Sequence, residues 1–293
     1  MSRRRSDELP HGPIHLFLVV FTLLSTYPVL WVLTIAFSGR QSLALADLPE
    51  NPGTGDLLRA VTPWPERWSL QNFTAVFTDQ PFLTWMGNSA VIAVATTVLG
   101  VFLAMTAAYA FSRFRFPGQK AGMMSFLVSQ MFPGTLMLIP LYIIVVQWLG
   151  LGGTRLGLVL VYATTSIPFS VWMLKGYFDT IPKELEEAAV IEGAGPGMIF
   201  WRIVLPLALP AIAITALFSF MTAWNEFIVA ATFMDQEAMY TAPVGLRFFV
   251  GGFQQQWGYF AAGSIIVSIP VVLLFLYLQK YLVSGLTAGS VKG

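Results

Sequence analysis

Six long apolar segments dominate this chain and constrain its fold more than any other feature. Each is close to, or longer than, the roughly 20 apolar residues that a helix needs to cross a bilayer core. Hydrophobic residues make up 56% of the chain and charged residues only 11%, whereas a soluble domain carries about 25% charged residues. The sequence therefore predicts an all-α polytopic membrane protein with six transmembrane helices. The segments are residues 14–37, 86–111, 121–149, 156–174, 205–233 and 259–283.

The positive charges predict how these helices are oriented. Of the sixteen lysines and arginines, eleven fall on one side of a six-span arrangement and five fall on the other. Loops that carry more positive charge remain on the cytoplasmic side of the membrane. We therefore expect both termini, and the polar loop between the fourth and fifth segments, to face the cytoplasm.

One membrane domain accounts for nearly all of the chain. The long polar loops lie between spans, and the terminal segments are too short to form domains of their own. The predicted organisation is a cytoplasmic tail at 1–13, a single transmembrane domain at 14–284 and a cytoplasmic tail at 285–293. Within the domain, the outer loops lie at about 38–85 and 234–258, and the inner loop lies at about 176–204.

Several kinds of chemistry are excluded by residues that the sequence lacks. The chain has no cysteine, so disulfides and thiolate sites are excluded, and its two histidines, His11 and His15, both lie near the start. It contains no G-x-x-x-x-G-K-[ST] phosphate loop, no HExxH motif and no nucleophile elbow with a base nearby. We therefore predict no catalytic residue, no bound metal and no bound cofactor in this chain.

The inner loop carries an acidic segment with the signals of two short helices. Glu184 and Glu187 would lie near the positive end of a first helix, where carboxylates are favoured. Gly193 is a natural helix stop because glycine tolerates the left-handed conformation, and Pro196 can begin a second helix. This pattern predicts a helix-turn-helix that docks on a partner, although an ordinary solvated amphipathic loop has a similar composition.

Two further sets of residues suggest local features. The runs Met131–Gly134 and Ser166–Pro168 each contain a proline inside an apolar segment, which predicts helix kinks. In the outer loop, Gly251 and Gly252 form a flexible tip beside Phe253 and Gln254. Aromatic and amide side chains together suit contact with a sugar or with another protein's sugar cleft. The same composition is also typical of a surface turn in an interfacial aromatic belt.

The inner loop resembles, position for position, the EAA loop of ABC-importer permeases. Three other stretches are similar to the carbohydrate (maltose/maltodextrin) permeases of that family: 108–118, 223–227 and the ending 285–293. The resemblance covers the chain from the first span onward. It departs from many relatives at Gly195, where they carry a Thr or Ser that would cap the second loop helix. The matching loop positions are Glu187, Ala188, Ala189, Gly193, Ile203, Leu205 and Pro206.

This resemblance implies an ATP-driven sugar importer of the bacterial or archaeal inner membrane. The chain would form half of the pore with a second permease subunit, and two copies of a cytoplasmic ATPase would use ATP and Mg. Glu184 and the matching loop positions would dock on that ATPase, and the tail 285–293 would reach it as well. An extracytoplasmic sugar-binding protein would contact Gly251, Gly252, Phe253 and Gln254. The implied substrate is maltose, maltodextrin or a related oligosaccharide.

Glu226 is the exception in apolar segments that are nearly free of ionisable groups. A carboxylate at membrane depth is costly and marks a candidate position for function. It could equally be a structural group near the outer end of a helix, hydrogen-bonded to a neighbouring span. Asn225 and Gln130 are weaker polar candidates, because such amides often form bonds between helices. These three residues are the predicted candidates for a translocation pathway.

An ion-coupled secondary carrier or a channel is the alternative class. Such carriers use membrane carboxylates and show inverted repeats with broken helices. The sequence offers one membrane carboxylate, Glu226, and no clear internal repeat. The residue pattern therefore favours the importer.

Overall fold

The fold is described from a computed structural model, which describes the backbone of residues 11–290 and the side chains of residues 12–281. Residues 11–290 contain no β-strand, so the prediction of an all-α membrane protein is confirmed. The α-helices, in chain order, are α1 (His11–Phe37), α2 (Thr54–Val61), α3 (Gln71–Thr78), α4 (Phe82–Arg113), α5 (Gln119–Met131), α6 (Gly134–Tyr142), α7 (Arg155–Phe178), α8 (Glu184–Ile191), α9 (Pro196–Ile199), α10 (Leu205–Leu207), α11 (Leu209–Asn225), α12 (Ile228–Phe233), α13 (Ala242–Leu246) and α14 (Trp257–Ser290). Two π-helical segments continue this path, Ile143–Trp148 after α6 and Phe200–Val204 between α9 and α10.

Four helices, α1, α4, α7 and α14, are each long and apolar enough to cross a membrane. Two bent pairs of helices are long and apolar enough only when the two members of each pair are taken together. The chain turns by 103° between α5 and α6 with its continuation, and by 78° between α9–α10 and α11. The described residues therefore provide four single-helix candidate spans, or up to six if each bent pair counts as one.

Prolines explain the first of these breaks, but they do not break every helix. Pro133 follows the end of α5, where its missing N–H and its ring prevent the helix from continuing. The kink predicted at residues 131–134 is therefore a complete break. Pro168, by contrast, lies inside the continuous helix α7, so the second predicted kink does not interrupt its helix.

The described residues divide into two compact units, one made of 11–80 together with 246–266 and the other made of 81–245 together with 267–290. In the first unit, the fully buried amide of Asn72 joins two segments. Its Nδ2 donates to the carbonyls of Ile35 and Ala36 at the end of α1, at 3.2 and 3.1 Å. These bonds satisfy carbonyls that a helix end leaves free, and they fix the chain that follows α1.

The second unit is built around α4, α7 and α11, which pack closely along one another. Small residues allow this approach, as is common between membrane helices. A Cβ on Gly100 of α4 would lie 3.1 Å from Oγ of Ser166 on α7 and 3.7 Å from Oγ of Ser219 on α11. The three helices thus form a rigid core that supports the inner loop at one end.

Candidate functional site

The inner loop forms the predicted helix-turn-helix, and its first helix is α8. That helix begins after Lys183 and carries Glu184, Glu186 and Glu187 in its first turn. Carboxylates are favoured there because the exposed N–H groups give this end of a helix a partial positive charge. The three acids therefore stabilise the start of the helix, and the exposed Glu184 and Glu187 give it a negative surface.

The turn after α8 has the hydrogen bonds of a Schellman motif. Gly193 adopts a φ of +87°, and its N–H donates to the carbonyl of Val190 at 3.0 Å. The N–H of Ala194 donates to the carbonyl of Ala189 at 2.9 Å. Pro196 then occupies the first turn of α9. The observed turn coincides with the helix stop and restart that the sequence predicts.

The motif positions divide between an inward and an outward side. Ala189 is buried in an apolar cluster that includes Phe178 and Val204, and Ile203 and Leu205 pack against the same cluster. These three motif residues therefore attach the loop to the end of the helical core. The remaining predicted docking positions are exposed: Glu184, Glu187, Ala188, Gly193 and Pro206.

Glu186, which sequence reasoning does not assign to the site, anchors the loop to α4. Its Oε1 accepts from Nε of Arg113 at 2.5 Å, and its Oε2 accepts from the hydroxyl of Tyr109 at 3.0 Å. Nη2 of Arg113 also donates to the carbonyl of Ile181 at 3.1 Å. The Arg113 and Glu186 side chains are only 7% and 13% exposed. One signal was available in the sequence, because Glu186 precedes the small residue Ala189 by three positions and so shares its helix face.

A second polar cluster holds the end of α7 beside this anchor. Ser112 donates to Oδ1 of Asp179 at 2.6 Å, and Lys175 pairs with Oδ2 at 2.6 Å. Partial burial alone would raise the pKa of Asp179, but the hydrogen bonds from Lys175 and Ser112 outweigh it and lower the pKa below its ordinary value. The carboxylate is therefore ionised at neutral pH and links α4 to α7.

The outward side of the loop combines apolar and acidic groups. Leu185, Val190 and Ile191 of α8 are exposed, and Ile191 is 87% exposed. Met198 of α9 and Trp201 after it are also exposed. Exposed apolar side chains grouped on a short polar loop are typical of a protein contact surface. This exposed surface is fixed at its base by Arg113.

A cavity of about 810 Å³ opens between α5, α6, α7 and the segment after α11. Gln130 and Glu226, two of the predicted pathway candidates, both line it. Nε2 of Gln130 donates to the carbonyl of Thr165 at 3.0 Å. Among the residues that the structure describes, no group of three His, Asp or Glu side chains is placed to hold a metal ion. The remaining lining is mostly apolar with several hydroxyls: Ser129, Phe132, Pro133, Gly134, Thr135, Met137, Leu138, Leu141, Val161, Tyr162, Thr164, Thr165, Ile228 and Val229.

Glu226 also has a structural role, since it holds a break in the chain. Its carboxylate accepts from the hydroxyl of Tyr162 on α7 at 2.7 Å and from the N–H groups of Val229 and Ala230 at 2.8 and 3.0 Å. These two N–H groups belong to the first turn of α12, so Glu226 caps that helix. The sequence predicts that the fifth segment runs on to residue 233. In the structure, helix α11 ends at Asn225, and the separate helix α12 follows. The side chain of Asn225 is exposed.

The tip of the second outer loop is an exposed, closed turn. The N–H of Gln256 donates to the carbonyl of Phe249 at 2.7 Å, and the N–H of Gly251 donates to the carbonyl of Arg247 at 2.8 Å. These bonds close the turn, and the ring of Phe253 projects fully from it. The predicted contact residues are all exposed: Gly251, Gly252, Phe253 and Gln254.

Bent apolar helices, a membrane cavity and a polar inner loop together define a multi-pass membrane transport subunit. The sequence of residues 97–287 matches the family described as "Binding-protein-dependent transport system inner membrane component". The chain belongs to this family and is the permease subunit of an ABC importer. It is accordingly an inner-membrane protein with several membrane-spanning helices.

Curated relatives support the same family over nearly the whole chain. The inner membrane ABC transporter permease protein YcjP of Escherichia coli is 34% identical, covering 94% of this chain and 94% of its own length. The maltodextrin transport system permease protein MdxG of Bacillus subtilis is 35% identical, covering 95% of each. The maltose/maltodextrin transport system permease protein MalG of Salmonella typhimurium is 37% identical, covering 100% of this chain and 99% of its own length. These relatives are transport permeases, and they do not favour the ion-coupled carrier.

Solved structures show the same fold. A chain of a bacterial ABC transporter that imports the acidic polysaccharide alginate superimposes with a TM-score of 0.78 and 22% identity, covering 96% of this chain and 99% of that one. A chain of the MetNI methionine ABC transporter in an inward-facing conformation gives a TM-score of 0.52 and 16% identity, covering 68% and 91%. The fold is thus shared by ABC transporters named for unrelated substrates, alginate and methionine.

Proposed function

We propose that this chain is half of the pore of an ATP-driven oligosaccharide importer, and that α8 couples it to a cytoplasmic ATPase. The observation that carries this proposal is the construction of the loop. Glu186 and Ala189 fix its base to the helical core, while Glu187 and Ile191 remain exposed on the opposite side. A rigid base under an exposed acidic and apolar surface can transmit a displacement from a partner to the membrane helices.

The ATPase supplies the energy in this proposal. Two copies of it bind ATP and Mg, and this chain binds neither. Closure of the ATPase pair moves α8, and Arg113 transmits that movement to α4, because the pair that it forms with Glu186 is nearly excluded from water. A similar second permease subunit completes the pore. Both termini and the inner loop face the cytoplasm, as the excess of positive charge on that side indicates.

The cavity beside Glu226 is the proposed pathway through this subunit. It combines an apolar wall with hydroxyl and amide groups from Tyr162, Thr165 and Gln130, which suit the apolar and hydroxylated faces of a sugar. Asn225 is the last residue of α11, beside the break before α12, and is a weaker candidate. Since Glu226 also caps α12, its replacement affects the shape of the cavity as well as its charge.

Maltose, maltodextrin or a related oligosaccharide is the proposed substrate, since several relatives that match nearly the whole chain are named for maltose or maltodextrin. An extracytoplasmic binding protein delivers the sugar. The proposed contact on this chain is the closed turn with Gly251, Gly252, Phe253 and Gln254, because its aromatic tip is fully exposed. The tail 285–293, predicted to contact the ATPase, lies outside the side chains that the structure describes.

Photo-crosslinking in the assembled transporter tests both proposed contacts at once. A benzoylphenylalanine at Ile191 is expected to form an adduct with the ATPase, and one at Phe253 is expected to form an adduct with the sugar-loaded binding protein. Each position is the control for the other, because both side chains are highly exposed. Position 191 should give no adduct with the binding protein, and position 253 should give no adduct with the ATPase. A transporter that is active but gives no ATPase adduct at position 191 would contradict the docking proposal.

A further inference from the structure

Helix α2, in the first outer loop, is short and strongly two-sided. Leu57, Leu58 and Val61 point to one side, and Asp56 and Arg59 point to the other, because successive residues are separated by 100° around a helix. All three apolar side chains are exposed, and no residue of α2 is buried. An apolar helix face left open in this way requires an apolar environment outside the unit.

Two hydrogen bonds hold this loop against the side of α1. The hydroxyl of Tyr27 donates to the carbonyl of Val61, the last residue of α2, at 2.7 Å. Nε1 of Trp31 donates to the carbonyl of Leu43 at 3.3 Å. Tyr27 precedes the end of α1 at Phe37 by ten residues, which is about 15 Å along a helix axis. The chain from the end of α1 therefore returns along the last third of that helix.

The depth of this contact follows from the length of α1. Its 27 residues extend about 40 Å, whereas the hydrocarbon core of a bilayer is about 30 Å thick. The helix is therefore about 10 Å longer than the core is thick. If all of this excess projected from the core at the Phe37 end, Tyr27, which lies about 15 Å from Phe37, would still be about 5 Å inside the core. The carbonyl of Val61 is hydrogen-bonded to this tyrosine, so the end of α2 lies at the boundary of the hydrocarbon core or just inside it.

Two tryptophans follow α2 in the chain and lie nearer the end of α1. The rings of Trp64 and Trp68 meet edge to face at 5.3 Å, and Trp68 packs against Phe37 at 5.6 Å. Both tryptophans are more than half exposed. Tryptophan is enriched where a membrane meets water, because its ring is apolar and its N–H is polar.

We propose that α2, together with Trp64 and Trp68, lies in the membrane interface and binds the lipid surface of the outer leaflet. Leu57, Leu58 and Val61 enter the acyl-chain boundary, and Arg59 faces water and lipid phosphate. This is the arrangement of an amphipathic interfacial helix. It secures the first outer loop to the bilayer in addition to the transmembrane helices.

Spin labelling tests this placement, and the absence of cysteine from the chain makes single labels straightforward. Nitroxides are attached at Leu58→Cys and, as the matched control on the opposite face, at Arg59→Cys. The full transporter is reconstituted in phosphatidylethanolamine–phosphatidylglycerol vesicles. Relaxation by oxygen, which concentrates in lipid, should exceed relaxation by a water-soluble nickel complex several-fold at position 58, and the order should reverse at position 59.

Two outcomes would overturn the proposal. Equal access of the nickel complex to positions 58 and 59 would place α2 in water. Shielding of position 58 from both reagents would show that a protein partner covers the apolar face instead of lipid. Transport activity of each labelled variant is measured in the same vesicles, so that a misfolded preparation is recognised and replaced by labels at Val61 and Asp56.

Discussion

Arg113→Ala is expected to reduce ATP-driven uptake at least tenfold while the subunit still reaches the membrane. Arg113 and Glu186 form a nearly buried pair, and removing one member of such a pair costs about 3–5 kcal/mol because the other charge remains unpaired. The loop would keep its helix but lose its attachment to α4. Glu186→Ala should give the same loss, measured as sugar uptake relative to the amount of assembled complex.

Arg115→Ala is the matched control for this experiment. Arg115 lies two residues further along but is exposed, so its removal should leave uptake near the unmodified level. The double variant Arg113→Ala/Glu186→Ala should be less impaired than the sum of the single changes, because it leaves no unpaired charge. Normal coupling in Arg113→Ala would show that the pair does not transmit movement.

Gly193→Val should weaken the proposed contact with the ATPase by distorting the turn after α8. Gly193 has a φ of +87°, and a residue with a side chain pays about 1–2 kcal/mol to adopt this region, with β-branched residues disfavoured most. The turn would open and move Glu187 and Ile191 away from the positions in which we propose that they dock. We expect sugar-stimulated ATP hydrolysis to fall about tenfold, in line with this cost.

Gly195→Val provides a control in the same loop. A Cβ at Gly193 or at Gly195 would meet no atom within 4 Å, so neither change creates a clash. Gly195 has a φ of −77°, which valine adopts readily. A loss at Gly195 equal to that at Gly193 would indicate that the loop tolerates no bulk, and the left-handed turn would no longer explain the effect.

Much of this fold could be predicted from the sequence because lipid imposes simple rules. The length of an apolar run shows whether a helix can cross the bilayer, and glycine or proline shows where a polar loop turns. These rules correctly place the stop at Gly193 and the restart at Pro196.

Which prolines interrupt a helix could not be predicted in the same way. Pro133 ends a helix, whereas Pro168 is contained within one. A proline frees carbonyl groups in the preceding turn, and a helix survives when neighbours satisfy them. Gln130 of α5 donates to the carbonyl of Thr165, in the turn of α7 before Pro168, and this is a contact from another helix. It depends on tertiary packing, and a local proline motif does not reveal it.

The two acidic side chains with the most specific contacts show the same limit. Glu186 lies between Glu184 and Glu187 in sequence, yet it alone of the three is tied to Arg113. The sequence allows Glu226 to be either a pathway residue or a structural residue. In the structure its carboxylate accepts three hydrogen bonds and lines the cavity. Its role in transport remains a prediction. In both cases the deciding partner is more than 60 residues away in the chain.

Sugar uptake into proteoliposomes tests most directly whether this chain is half of an ATP-driven pore. The vesicles contain the chain, a second permease subunit and the ATPase, with the sugar-loaded binding protein outside and ATP inside. We predict uptake that requires both ATP and the ATPase, and that continues when ionophores remove every ion gradient. Uptake by the permease subunits alone, driven by an ion gradient and unaffected by ATP, would contradict the account.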